Sequence, residues 1–190
     1  VRESGIELSA VEGARRVLES MRISVPLAQL EDVVAELEHE CLAQVRVIEG
    51  AGVALSRLRE EGYRLGIVSS AGYPPFVEMA LEALGLRTFF SEVLTSAGEG
   101  IYKSNREIYR RASSRLGATP REAVHVGDHA LYDVRAARAA GLSTIWFVGQ
   151  ARRTAQLHGT PWHEAAEAGS VADATVERLE DVPGVVARLG

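Results

Sequence analysis

The chain has 190 residues, enough for one folded domain with a smaller appendage. A net charge of -5 without any basic block argues against a nucleic-acid partner, and no apolar run approaches the roughly 18–20 residues that a membrane span needs. The single cysteine, Cys41, cannot form an internal disulfide, and it neither requires nor excludes an oxidising compartment; the cytoplasm is the default expectation.

The first 49 residues carry a helical pattern and no strand signal. Apolar residues recur at helical spacing over 11–21 and again over 27–41. We therefore expect a helical hairpin that buries its apolar stripe against another part of the protein. The Glu-His-Glu run at 38–40 points in several directions on a helix, so a solvated face explains it better than a metal site.

After a Gly-Ala-Gly breaker at 50–52, helices and strands are expected to alternate. Residues 63–68 form an apolar run of strand length that ends at Ser69 and Ser70. At the carboxyl end of a strand in an open α/β sheet, hydroxyl and backbone N–H groups can hold phosphate oxygens. An ordinary serine-rich turn is the alternative interpretation.

A second strand is expected at 89–95, followed by a loop and another helix. Lys103 precedes that helix and is the only lysine among 21 Lys and Arg residues. Its retention indicates a position that needs a compact ammonium group, or it is the chance survival of one codon.

The third strand, 123–126, ends in Gly127-Asp128, and Asp133 follows where a helix should begin. Glycine lets the backbone turn tightly, so the two carboxylates can face one point. Two carboxylates aimed at one point repel each other unless a cation lies between them, and oxygen-only ligation suits Mg²⁺. Alternatively, Asp128 caps the helix and Asp133 is a surface residue.

The rest of the chain continues the alternation. A helix ends at Gly141, and a strand follows at 142–148. We expect a polar loop with some helix at 150–170, a last strand at 172–176 and a closing helix. Alternating strands and helices predict an α/β fold, a Rossmann-like and mostly parallel sheet with helices on both faces.

The order of these features resembles the haloacid dehalogenase (HAD) superfamily. Ser69 ends a strand, Lys103 precedes a helix, and Asp128 with Asp133 forms an acidic pair. The similarity runs from about residue 50 to the end. It implies a HAD-like core at 50–190 that lacks its first strand, and a partial helical cap at 1–49.

The resemblance also implies a role for each of the matched residues. Ser69 and Ser70 would bind the phosphate group, and Lys103 would neutralise it together with the nucleophile, which makes Ser69 and Lys103 catalytic. Asp128 would bind Mg²⁺, and Asp133 would hold the ion directly or through water. The implied activity is that of a Mg²⁺-dependent phosphatase acting on a small phosphorylated metabolite. One small departure is that Ser104 follows the lysine, where the family usually has proline.

A larger departure concerns the first motif of the family, Asp-x-Asp, which carries the nucleophile. No two of the five aspartates in the chain are separated by one residue. The strand that bears this motif, which in the family lies between the strands at 64–69 and 123–126, is also missing. Three hypotheses follow: a phosphatase whose amino-terminal segment is missing here, a non-catalytic truncated binding protein, and a 2-haloacid dehalogenase-like hydrolase. A homodimer through the surface left by the missing strand is expected under the second.

Overall fold

The computed structural model describes residues 6–190, which form five β-strands and ten α-helices. The strands are β1 (Gly66–Ser69), β2 (Glu92–Thr95), β3 (Val124–Gly127), β4 (Ser143–Phe147) and β5 (Ala174–Val176). The helices are α1 (Ala10–Ser20), α2 (Leu27–Leu42), α3 (Ala51–Glu60), α4 (Pro74–Ala83), α5 (Ser96–Glu99), α6 (Glu107–Arg115), α7 (Ala137–Ala140), α8 (Val148–Leu157), α9 (Trp162–Gly169) and α10 (Val182–Leu189). A π-helical segment, Ala130–Ala136, joins the region after β3 to α7.

All paired strands run parallel, but they form two sheets instead of one. In the first sheet β1 pairs with β2, so that Ser69 lies opposite Thr95 at the carboxyl ends. The second sheet has the order β3-β4-β5, with Gly127 opposite Trp146. The predicted α/β class with parallel strands is therefore confirmed.

The sheet is divided between β1 and β3, because no backbone pairing joins these two strands within residues 6–190. Both strands still contribute to shared apolar clusters. Leu65, just before β1, and Val126 of β3 pack against the cluster that contains Ile145, whereas Val68 packs against the cluster of Ile108 and its neighbours. The division falls between the two strands where the sequence predicts a missing first strand.

The segment before α1 is not part of either sheet. Ile6 forms an isolated antiparallel bridge with Ile101, and the Ala10 N–H donates to the Gly72 carbonyl at 2.7 Å. This segment therefore contacts the loops that follow β1 and β2. Residues 1–5 lie outside the described residues.

The expected helical hairpin is present as α1 and α2, which contact each other, and α2 also contacts α4. Only Leu30 and Val34 of α2 are buried, and α1 buries no residue. Val33 and Leu37 remain 48% and 57% exposed. The apolar stripe is thus only partly covered within the described chain, and the assignment of residues 1–49 to a cap stays a prediction.

The stretch 150–170 is more ordered than expected, because α8 and α9 occupy most of it. The buried residues of these helices are small: Ala151, Ala155, Ala165, Ala168 and Gly169. Alanines among polar neighbours give only a weak apolar periodicity, so the sequence pattern predicts a loop although the backbone is helical.

None of the helices in residues 6–190 is both long and apolar enough to cross a membrane. The cytoplasmic location and the homodimer stay predictions.

Candidate active site

The candidate site is built at the carboxyl ends of the strands. Ser69 is the last residue of β1, and Gly127 is the last residue of β3, so Asp128 follows at the same edge as Trp146. Ligands of open α/β sheets bind outside these strand ends, because the loops there are free to carry functional side chains.

The π-helical segment brings Asp133 back over the end of β3. The Asp133 N–H donates to the His129 carbonyl at 2.7 Å, and the His129 N–H donates to Asp133 Oδ2 at 2.8 Å. A Cβ atom at Gly127 would lie 2.3 Å from Asp133 Cγ, which no real side chain tolerates. Glycine at 127 is therefore required by the close approach of the Asp133 carboxylate.

Lys103 and Asp133 form a buried ion pair. Lys103 Nζ lies 2.5 Å from Asp133 Oδ1, and the two side chains are 15% and 5% exposed. Burial alone would raise the pKa of Asp133, but the Lys103 charge and the His125 hydrogen bond hold that pKa well below its usual range. Asp133 is consequently an anion at neutral pH, and it fixes the lysine at the strand ends.

His125, in the middle of β3, is a second partner of the same carboxylate. Its Nε2 lies 3.1 Å from Asp133 Oδ1. Burial lowers the pKa of His125 below its ordinary value, although Asp133 opposes this shift. The ring is therefore neutral at pH 7, and donation to Oδ1 assigns its proton to Nε2.

Tyr109 of α6 supports this cluster from below. Its ring packs edge-on against His125 with centroids 4.9 Å apart, and its hydroxyl donates to the Tyr132 carbonyl. Burial, with the Asp133 charge, raises the pKa of Tyr109 far above its ordinary value. The phenol stays protonated and serves as a rigid donor to the π-helical segment.

Asp128 contacts α8 through its side chain and β4 through its backbone. Its Oδ2 accepts a hydrogen bond from Thr154 Oγ1, and its backbone carbonyl accepts one from Trp146 Nε1 at 3.1 Å. It lines a cavity of about 240 Å³ beneath α8 and α9, together with Arg135 and Glu164.

Ser69 and Ser70 line a different cavity, of about 460 Å³, between α2 and α4. Glu38 and Tyr73 also line this cavity. The Glu-His-Glu run at 38–40 was expected to form a solvated face, and the structure places one of its residues, Glu38, at the cavity instead. The two cavities share no lining residue. Of the predicted site residues, the structure brings Lys103 and Asp133 into contact. Ser69 and Ser70 line one cavity, and Asp128 lines the other.

The separation has a physical cause in the divided sheet. Neighbouring parallel strands are held about 4.8 Å apart by their backbone hydrogen bonds. Because β1 and β3 belong to different sheets, that spacing is not imposed between Ser69 and Asp128.

Comparison with known proteins identifies the family. A model of haloacid dehalogenase-like hydrolases matches residues 4–141. The chain belongs to the haloacid dehalogenase-like hydrolase family. The resemblance indicated by Ser69, Lys103 and the acidic pair is thereby confirmed at the level of the family.

Relatives of this HAD-like chain include enzymes named as phosphatases. The glyceraldehyde 3-phosphate phosphatase of Pyrococcus abyssi is 36% identical over 105 residues, which cover 55% of this chain and 44% of the relative. The haloacid dehalogenase-like hydrolase domain-containing protein 3 of Mus musculus is 35% identical over 137 residues, 70% of this chain and 54% of the relative. The chain thus spans about half the length of these relatives.

The fold of this HAD-like chain also matches solved structures. The 2-haloacid dehalogenase from Pseudomonas syringae pv. Tomato DC3000 superposes with a TM-score of 0.70 at 25% identity, covering 96% of this chain and 73% of that structure. This likeness agrees with the Rossmann-like arrangement predicted from the sequence.

The donor set of this HAD-like site fits Mg²⁺, which binds one or two carboxylates and keeps several waters. Asp128 uses Oδ2 for Thr154 and has Oδ1 to offer. Asp133 uses Oδ1 for Lys103 and His125, so only Oδ2, with one contact, has capacity for a water-mediated link. No three His, Cys, Asp or Glu residues converge within residues 6–190, so water would complete the coordination.

Two residues of the HAD-like site were not predicted from the sequence. His125 lies inside an apolar strand, where a single histidine gives no pattern. Thr154 lies in the stretch interpreted as loop, so its reach to Asp128 could not be inferred. The only available signal for His125 was its position two residues before Gly127, on the strand that leads into the acidic pair.

Proposed function

We propose that the chain provides the phosphate-binding and metal-binding half of a HAD phosphatase, which cleaves a small phosphomonoester. The observation that carries this proposal is the buried Lys103–Asp133 ion pair, whose carboxylate lies against Gly127 at the end of β3, one residue before Asp128. A cation fixed in a site of low exposure is suited to neutralise an anionic group that arrives there. The name of the P. abyssi relative supports phosphate chemistry.

Each residue has a defined task in the proposed reaction. Lys103 would present its ammonium group to a phosphoryl oxygen and to the attacking carboxylate, which an Asp-x-Asp segment outside this chain would supply; the mutual repulsion of the two anions would otherwise raise the barrier. The proposal requires Ser69 and Ser70, which line a separate cavity here, to offer their hydroxyls to the remaining phosphoryl oxygens once the family's first strand joins β1 to β3. Asp128, with Asp133 through water, would hold Mg²⁺, which supplies charge neutralisation on the phosphate when bound.

The substrate is proposed to enter the larger cavity, beside Ser69. Its lining combines apolar groups, such as Phe76 and Leu81, with the carboxylate of Glu38. Such a lining suits a small metabolite that has hydroxyl groups or an amine next to its phosphate, because a second anionic group would be repelled by Glu38.

A second candidate function is a non-catalytic binding protein. The observation that favours it is the lack of any Asp-x-Asp pair among the five aspartates, because phosphoryl transfer in this family needs that nucleophile. Such a protein would keep phosphate binding and lose turnover. The dehalogenase hypothesis is not favoured, since Asp128 and Asp133 resemble the metal-dependent phosphatase branch.

The test uses p-nitrophenyl phosphate hydrolysis with and without Mg²⁺, beside calorimetric titration with inorganic phosphate. Because the chain holds no Asp-x-Asp pair, turnover is expected once a segment carrying that pair is supplied. It should then depend on Mg²⁺, and Asp128→Asn should lower it by roughly 100-fold or more, since a metal ion contributes several kcal/mol of charge stabilisation. Asp32→Asn, an exposed aspartate on α2, is the matched control and should leave turnover unchanged.

The outcomes separate the two candidates. Phosphate binding without turnover, even with a segment carrying Asp-x-Asp supplied, would replace the phosphatase by the non-catalytic binding protein. Neither binding nor turnover would refute both, and equal turnover in Asp128→Asn would refute the metal role.

A further inference from the structure

The helical hairpin α8–α9 follows directly after β4 and packs against β4 and the π-helical segment Ala130–Ala136. Trp162 of α9 stacks on Trp146 of β4 with ring centroids 5.7 Å apart. A Cβ atom at Gly169 would lie 2.6 Å from the Trp146 ring, so this glycine lets α9 sit directly on the indole. The hairpin therefore packs at a defined position on β4, the neighbour of the strand that Asp128 follows.

Asp128 accepts hydrogen bonds from both the hairpin and the strand beneath it. Thr154 of α8 donates its hydroxyl to Oδ2, while the Trp146 indole donates to the backbone carbonyl at 3.1 Å. A threonine within a helix commonly bonds its own backbone four residues earlier. Here the hydroxyl instead spans 26 positions of sequence to reach a carboxylate.

We propose that Thr154 is a positioning residue for Asp128, and that α8–α9 is the element which aims this carboxylate at the metal. The proposal rests on the metal role given to Asp128 above. A hydrogen bond to one carboxylate oxygen fixes the rotation of the group and leaves Oδ1 as the ligand atom. Partners of this kind are typically worth about 10–100-fold in metal affinity.

A neighbouring threonine provides a control for the packing of the cavity. Thr160 lies between α8 and α9 and lines the same cavity, but within the described residues its side chain makes no hydrogen bond to Asp128. Replacing either threonine by valine keeps the shape of the side chain and removes the hydroxyl. Only the change at Thr154 should therefore alter the orientation of Asp128.

The experiment is calorimetric titration of the chain with Mg²⁺, which needs no catalytic turnover. Thr154→Val should bind Mg²⁺ about 10-fold or more weakly than wild type. Thr154→Ser, which retains the hydroxyl, should bind within about twofold of wild type, and so should Thr160→Val. Tryptophan emission checks the fold, because both tryptophans of the chain, Trp146 and Trp162, lie at this hairpin.

Each result has one meaning. Wild-type emission in Thr154→Val with weakened Mg²⁺ binding supports the proposal, whether or not the chain hydrolyses a phosphate. Equal or tighter Mg²⁺ binding in Thr154→Val overturns it and leaves the phosphatase proposal intact. If the wild-type chain binds no Mg²⁺, the metal role of Asp128 and this inference both fail. If Thr154→Val alters the emission, Thr154→Ser decides, and weak binding by this hydroxyl-bearing variant overturns the proposal.

Discussion

Replacing Asp133 by alanine should destabilise the protein strongly, because it leaves the Lys103 ammonium in a site that is only 15% exposed. The change also removes the acceptor of the His125 ring and of the His129 N–H. Breaking a buried pair by removing one partner costs about 3–5 kcal/mol. Since Lys103 retains some contact with water, we expect the lower end, about 3 kcal/mol.

The assay is urea unfolding followed by tryptophan emission, with a thermal scan beside it. A loss of about 3 kcal/mol should lower the melting temperature by roughly 6–12 °C for a chain of this size. Glu61→Ala is the control, because it breaks the exposed Arg57–Glu61 pair and should cost less than about 1 kcal/mol. The double variant Lys103→Met with Asp133→Leu should recover much of the loss.

The effect of Asp133 also depends on pH. Because its folded pKa is depressed, its contribution is present above the unfolded value of about 3.9 and is lost as pH falls toward the folded value. The difference between wild type and Asp133→Ala should therefore shrink in acid. A cost below about 1 kcal/mol at pH 7, or a difference that grows in acid, would refute the structural importance of this pair.

Two further predictions concern β3, the strand beneath the Asp133 carboxylate. In urea unfolding, Gly127→Ala should lose at least about 2 kcal/mol of stability, because the new Cβ would meet the Asp133 carboxylate. The control Gly13→Ala in α1, which has open space around it, should be neutral or stabilising by up to about 1 kcal/mol. Equal effects of the two changes would contradict the close approach of Asp133 to Gly127. Burial lowers the folded pKa of His125, so the stability that the neutral ring contributes is present above the unfolded pKa of about 6.5 and is lost as pH falls below it. His125→Gln should therefore reduce the loss of stability between about pH 7.5 and 5.5. Parallel pH profiles of the urea midpoint in the two proteins would contradict the neutral ring.

Much of the α/β core could be predicted because its signals are local. The strand that ends at Ser69 is an apolar run closed by small polar residues, and the strand before Asp128 is closed by Gly127. The helix of Ile108 has large apolar residues at helical spacing. Such patterns involve only residues within a few positions of one another, and the strands and helices found at these places agree with them.

The remaining features depend on contacts between distant parts of the chain. The π-helical course of 130–136 follows from seating Asp133 over Gly127, which no propensity encodes. The reach of Thr154 to Asp128 depends on the hairpin packing on Trp146. Likewise, motif order alone could not indicate that Ser69 and Asp128 line separate cavities, because their distance depends on how β1 and β3 associate.

The ion pair of Lys103 has a practical consequence for spectroscopy. Because the chain contains one ε-amine, reductive methylation with ¹³C-formaldehyde would place an isotopic label at this residue and otherwise only at the α-amino group. Its chemical shift would respond to any anion or cation that enters between the lysine and its carboxylate. The candidate site thus has a built-in reporter that requires no engineered residue.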